Sequence, residues 1–217
     1  MKGHRMFTQK SLAAAAAIAL LPVGAFAGEF SATAGFEASV DFDSDFDSTG
    51  DAVELSLGGE YTAGGFFAGL TFTFAEAGGV DELETELALG YGGDITDKTS
   101  YEVALYGYWY DDSGYDTTEA ELVLSQAFSD TVSGSYTYTY DIESEDDYHE
   151  VALEVAVGDW TVEPVLGTDG DVTAWELNFG YGFEGGVGLS IEFSDDDSAG
   201  SDLTTSIVFD YELDLLS

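Results

Sequence analysis

Phe30-Ser31-Ala32-Thr33-Ala34-Gly35-Phe36-Glu37-Ala38-Ser39-Val40-Asp41-Phe42 is the stretch that decides the fold class. Its even positions are Phe, Ala or Val, and its odd positions are Ser, Thr, Gly, Glu or Asp. An extended chain sends alternate side chains to opposite faces, whereas a helix repeats about every 3.6 residues. The stretch therefore reads as a β-strand with one apolar and one polar face.

Working outward, the same alternation recurs to the end of the chain. Val53, Leu55, Leu57 and Tyr61 alternate with Glu54, Ser56, Gly58 and Glu60. Leu83, Leu87, Leu89 and Tyr91 oppose Glu82, Glu84, Glu86 and Gly90. Trp175, Leu177, Phe179 and Tyr181 oppose Glu176, Asn178, Gly180 and Gly182. The pattern predicts about twelve strands, an even number as in bacterial outer-membrane barrels. The weakest runs from Trp160 to Leu166 and contains Pro164, which has no N–H to give a ladder and is expected at a bulge or an edge. Without that strand the count falls to about ten.

The connections sharpen the prediction. Tight turns are expected at Ala63-Gly64-Gly65, Ser129-Asp130, Gly158-Asp159 and Glu184-Gly185-Gly186, with a longer turn from Gly92 to Ser100. Acidic loops are expected at Asp43 to Asp51, Glu76 to Asp81, Asp111 to Asp116, Glu143 to Asp147, Thr168 to Asp171 and Ser194 to Asp202. Short and long connections mostly alternate. That order suits an all-β, up-and-down antiparallel transmembrane β-barrel, with turns at one rim and loops at the other. A Greek-key sandwich has no reason to produce it.

Upstream, Lys2, Arg5 and Lys10 surround the start of an apolar run, Leu12 to Leu21, and Ala25-Phe26-Ala27 follows. This is the pattern of a secretory signal peptide over residues 1–27, leaving one domain over 28–217. The apolar run is shorter than the roughly 20 residues a spanning helix needs. Past residue 27, Lys98 stands alone against 44 carboxylates, a formal charge of −43. Nucleic acid is excluded as a partner, because phosphate contacts need clustered Lys and Arg. Such charge repels itself at low salt and suits a salty or divalent-rich surrounding. There is no cysteine to staple the fold.

Aromatic residues fall near strand ends on the apolar faces. Phe30, Tyr61, Phe66, Tyr91, Tyr101, Phe128, Trp160 and Phe183 lie near the short turns, and Phe42, Phe74, Trp109, Tyr140 and Phe193 near the acidic loops. Two such levels match the girdles of a barrel in lipid. Alternation alone leaves open which face points outward. A soluble sandwich would bury the apolar face. A membrane barrel would turn it to lipid and put Glu37, Asp41, Glu54, Glu60, Glu84, Glu86, Glu102, Glu121, Glu154, Glu176, Glu192, Asp210 and Glu212 in the lumen. Like charges about 4 Å apart repel by about 1 kcal/mol even in water, so that lumen must be wet and rich in cations, or several of the carboxyls must stay protonated.

Little in the chain points to catalysis. His149, beside Asp146, Asp147 and Glu150, reads as an exposed loop histidine, and no serine-nucleophile or HExxH motif is present. Calcium is the better chemical expectation, and no other cofactor is expected. Asp43, Asp45, Asp47, Thr49, Asp51 and Glu54 occupy the alternating positions of an EF-hand-like loop, although Ser48 stands where the sharp-turn glycine belongs. The alternative is a solvated acidic loop, and looser divalent bridging of the acidic rim to lipopolysaccharide is expected ahead of one tight site. Tyr106, Tyr108 and Tyr110 fall on the lumen side, as wall-fillers or as stacking platforms.

Several segments together carry a family resemblance. They are Thr49-Gly50-Asp51, Leu57-Gly58-Gly59-Glu60-Tyr61, Phe66-Phe67-Ala68-Gly69-Leu70, Glu84-Thr85-Glu86-Leu87-Ala88-Leu89-Gly90-Tyr91 and Tyr106-Gly107-Tyr108-Trp109-Tyr110. Their order resembles the TorF-type porins, short proteobacterial outer-membrane barrels. The family's first strand ends in an aromatic-Arg-Gly box, where this chain has Asp41-Phe42-Asp43. The C-terminus, Leu215-Leu216-Ser217, departs from the terminal aromatic of many outer-membrane proteins. The resemblance implies an outer-membrane location in a Gram-negative bacterium and passive diffusion of small solutes. The carboxylate lining adds a preference for cations. The competing expectation is a non-conducting structural or surface protein that binds calcium or partners through its loops.

Overall fold

The computed structural model of the chain describes residues 28–77, 80–198 and 201–216. The expected signal peptide lies outside the described residues. Twelve strands follow in chain order: β1 (Glu29–Phe42), β2 (Ser48–Ala63), β3 (Phe66–Ala77), β4 (Val80–Thr96), β5 (Thr99–Tyr110) and β6 (Gly114–Ala127). Then come β7 (Val132–Asp141), β8 (Asp147–Val157), β9 (Trp160–Thr168), β10 (Thr173–Phe183), β11 (Val187–Asp196) and β12 (Thr204–Leu216). Each pairs antiparallel with the strand before it, and β12 returns to β1 to close the barrel. Closure leaves no free sheet edge.

The apolar faces point outward. Leu57 and Leu89 are 51% and 57% exposed, and Phe30, Phe66, Val157 and Trp160 are exposed as well. The most buried side chains include Ala104, Thr117, Asn178, Glu192 and Ser206, which are small or polar. This is the inverse of a soluble sandwich, in which Leu, Phe and Tyr would meet in a dry centre. Rings near the tight-turn rim touch in two series, Phe66–Tyr91–Tyr101 with centroids 4.7 and 6.3 Å apart, and Trp160–Tyr181–Phe183 at 4.8 and 4.6 Å.

The doubtful strand forms, so the count is twelve rather than ten. Pro164 sits inside the wall, not at a bulge or an edge. On the β10 side it faces Leu177 in an unbroken ladder. On the β8 side pairing stops after Ala152–Val165 and resumes at Val155–Val162 in the same register. A ring nitrogen without a proton leaves a gap in the hydrogen bonds without adding a residue.

The hairpins run further than hydropathy predicts. The connection expected from Gly92 to Ser100 is reduced to Asp97-Lys98, because β4 and β5 stay paired to Thr96–Thr99. Three acidic loops shorten likewise, to residues 43–47, 111–113 and 197–203, while those expected at 143–147 and 168–171 keep their length and move by one residue, to 142–146 and 169–172. Within the expected Glu76 to Asp81 loop, β3 and β4 stay paired to Ala77–Val80, and residues 78–79 lie outside the described residues. Backbone groups make the ladder, so pairing persists where both faces have become polar. At Gly64-Gly65 both φ values are positive, 59° and 89°, as a primed two-residue turn requires.

Candidate functional site

The barrel encloses a cavity of about 3930 Å³, well above the roughly 300–1,000 Å³ of a small-molecule pocket. Strand parity decides what lines it. Every second residue of each strand points in, and cross-strand pairing keeps inward residues beside inward residues.

Of the predicted lumen carboxylates, Glu37, Asp41, Glu54, Glu86, Glu102, Glu121, Glu154, Glu176, Glu192, Asp210 and Glu212 line this cavity. Glu60 and Glu84 share their inward parity, and their charges act on Glu102 and Glu54 respectively. Glu37 is the direct cross-strand partner of both Glu54 and Asp210, so three carboxylates stand side by side on β2, β1 and β12. Further lining carboxylates were absent from the predicted set, Glu119, Glu150 and Glu163 on the strands among them. Counting back by two from Glu121 and Glu154, and along the weak strand from Thr161, reaches them. Lys98, in the β4–β5 turn, is the single Lys or Arg beyond residue 27.

Neutral polar groups hold parts of the wall. Ser206 Oγ donates to Asp41 Oδ1 at 2.6 Å, and Ser190 Oγ to Glu192 Oε1 at 3.0 Å. Asn178 Nδ2 donates to Glu176 Oε1 at 2.7 Å. Tyr106, Tyr108 and Tyr110 stand in the lumen along β5, with the Tyr106 hydroxyl 3.5 Å from Glu102 Oε1. Tyr106 pairs across to Ala88 and Tyr108 to Glu86, which gives the rings a small neighbour on β4 in one case and an acceptor in the other.

At the loop rim, Glu143 in the β7–β8 connection folds back onto β6. Its carboxylate accepts the Thr118 N–H at 2.7 Å, the Tyr115 hydroxyl, and the Thr117 Oγ1 hydrogen at 2.7 Å. The backbone N–H first, and then the two hydroxyls, hold this exposed carboxyl down to about 2.

The residues of the expected EF-hand-like loop are not gathered around one point. Asp43, Asp45 and Asp47 lie in the β1–β2 connection, where Asp43 Oδ1 accepts the backbone N–H of Asp45 at 2.9 Å and of Asp47 at 3.0 Å. Thr49, Asp51 and Glu54 lie on β2, and Glu54 is inside the barrel. A ladder strand cannot wrap a cation as a loop does. Among the described residues no three His, Asp or Glu side chains are grouped to hold a metal ion. His149 is on β8 rather than in a loop. It packs against Tyr136 and Tyr138, with Nδ1 2.8 Å from the Tyr136 hydroxyl and Nε2 3.4 Å from Asp147.

No family model matches the sequence, and no curated protein matches it. Solved structures do match in fold. The KdgM porin aligns with a TM-score of 0.62 at 13% identity, covering 82% of this chain and 98% of that one. The KdgM porin in complex with disordered oligogalacturonate gives 0.62 at 11% identity with the same coverage. The NanC porin gives 0.57 at 14% identity, covering 82% of this chain and all of its own. At such identity the likeness is one of fold: this chain is a closed twelve-strand antiparallel β-barrel of the architecture those porins share.

Proposed function

We propose that this chain is an outer-membrane porin that lets small solutes diffuse passively and favours cations. The carrying observation is the lumen wall, which gathers carboxylates from β1, β2, β4, β5, β6, β8, β9, β10, β11 and β12, while the only Lys or Arg past residue 27 is Lys98 in a turn. A ring of carboxylates raises the local cation concentration and repels anions. The outward apolar band with its aromatic levels supports a place in lipid, since only hydrocarbon can solvate so much exposed Leu, Phe and Val without cost. The KdgM porin was solved with oligogalacturonate, whose name denotes carboxylated sugars. The acidic lining argues that this barrel takes neutral or cationic solutes instead. At the loop rim, divalent cations bridging Asp43, Asp45 and Asp47 to anionic lipopolysaccharide fit the same charge logic.

Purified protein in a planar bilayer should show conductance steps and a reversal potential favouring K⁺ over Cl⁻. The double substitution Glu84→Gln, Glu86→Gln should lower that ratio. Silent bilayers containing correctly folded protein would remove the reading.

A further inference from the structure

The β1–β2 connection closes as a tight hairpin loop over residues 44–46. The Phe46 N–H donates to the Asp43 carbonyl at 2.9 Å, and the Asp43 N–H donates to the Asp47 carbonyl at 3.0 Å. The Asp43 carboxylate fixes the turn by accepting the N–H groups of Asp45 and Asp47. A hairpin loop of this kind ends in a left-handed residue, a place that suits glycine. Here Phe46 holds it, with a φ of 62°.

Nothing inside the barrel compensates that choice. The left-handed conformation brings an L-residue's Cβ too close to the following carbonyl oxygen. Phe46 is also 72% exposed, more than any other large apolar side chain among the described residues. A single exposed apolar residue needs no explanation. One held in a strained backbone with no burial in return points to a role outside the chain. Glu145, the other non-glycine residue with positive φ among the described residues, is charged and suits water. Phe46 is the sole aromatic in the connections of the loop rim.

The surroundings say what meets the ring. The cavity wall includes Asp41 and Thr49 but no residue from 43 to 47, so the loop stands off the pore mouth. Directly below it, Phe42 ends β1 on the apolar face, at the upper aromatic level. Asp43 and Asp47 extend the ladder one step past the Phe42–Ser48 pair. Phe46 follows within two residues of that level, about 7 Å along a strand. The headgroup layer adds about 5–7 Å on each side of the hydrocarbon. The ring is thus at headgroup depth, continuous with the lipid-facing wall, where apolar side chains bury themselves at the boundary with the acyl chains.

We propose that Phe46 is a membrane anchor, by which the β1–β2 loop seats an aromatic ring in the headgroup region of the outer leaflet. The proposal rests on the reading of the wall as lipid-facing.

The test folds the full barrel into phosphatidylcholine vesicles with and without Phe46→Trp. Dibrominated phosphatidylcholine quenches indole emission from within the bilayer, and acrylamide quenches it from the water. The unsubstituted protein reports on the wall itself, since its tryptophans are Trp109, Trp160 and Trp175, all exposed on the apolar faces. The emission added by Phe46→Trp should be quenched by brominated lipid and shielded from acrylamide. Emission added by Ser113→Trp, in a loop that lines the mouth, should respond to acrylamide alone. If Phe46→Trp does not fold, Phe46→Cys carrying a nitrobenzoxadiazole dye serves, because the chain has no other cysteine. Its emission should then shift to the blue relative to the same dye at Ser113→Cys. Added emission open to acrylamide and indifferent to brominated lipid would overturn the anchor and leave the ring to water or a soluble partner. So would equal lipid quenching at positions 46 and 113. If the tryptophans of the unsubstituted protein are quenched by brominated lipid and the added one is not, only the anchor is lost. If they too escape it, the lipid-facing wall is lost and the anchor with it.

Discussion

Ser206 on β12 and Asp41 on β1 are 165 residues apart in the chain and share a 2.6 Å hydrogen bond where the last strand meets the first. They are also cross-strand partners in the closing ladder. Ser206 is 3% exposed, so its hydroxyl has little access to water as a substitute. Ser206→Ala should lower the unfolding free energy by about 1 kcal/mol, the usual net value of such a bond. Urea midpoints of the barrel refolded in lipid vesicles measure this, and an unchanged midpoint would contradict it.

Glu143 links pH to the order of the loop rim. Its carboxyl is held down to about 2, first by the Thr118 N–H and then by the Tyr115 and Thr117 hydroxyls. A depressed carboxyl contributes its stabilisation in full above the ordinary glutamate range. That contribution fades as pH falls from there through about 2. The β7–β8 connection should therefore stay docked on β6 at mildly acid pH and release only in strong acid. Carboxyl chemical shifts of Glu143 against pH would show this, and titration at an ordinary glutamate value would refute it.

Leu87 separates a lipid-facing wall from a water-facing one. It lies on β4, exposed on the outside and midway between Tyr91 and Leu83, the partners of Phe66 and Phe74 at the two aromatic levels. In lipid, Leu87→Arg should cost about 2–4 kcal/mol of folding free energy, as for arginine near the bilayer midplane. On a water-facing surface the same change stays within about 0.5 kcal/mol. Refolding into vesicles decides between them.

Solute charge is the fourth discriminator. In liposome-swelling experiments, an oligosaccharide bearing carboxylates should enter more slowly than a neutral one of equal length. Raising salt should narrow the difference, because screening shortens the reach of the wall charges. Equal rates at low salt would count against the carboxylates as a selective lining.

Period-two alternation made the architecture legible, since Glu84, Glu86, Leu87 and Leu89 had to lie on opposite faces of one strand. It could not say which face was inside, because parity is relative. Only closure of the sheet, which brings Asp41 to Ser206, turns parity into inward and outward. The rims were misread for a different reason. Gly114 to Asp116 carry no apolar alternation, yet β6 begins at Gly114 because its backbone pairs with Tyr110. The predicted strand there runs from Ala120 to Phe128, so Glu119, just ahead of it, was not read as an inward side chain. The EF-hand-like spacing was real in sequence but was pulled straight by the β2 ladder from Ser48 onward.

Pro164 gives the wall a direction of failure. The seam between β8 and β9 is held by seven paired positions, with two missing opposite the ring, against eleven where β12 joins β1. If the cylinder is pulled or heated, it should unzip beside the imino acid before it parts at its termini. Amide exchange of Leu153 and its neighbours would then run ahead of the rest.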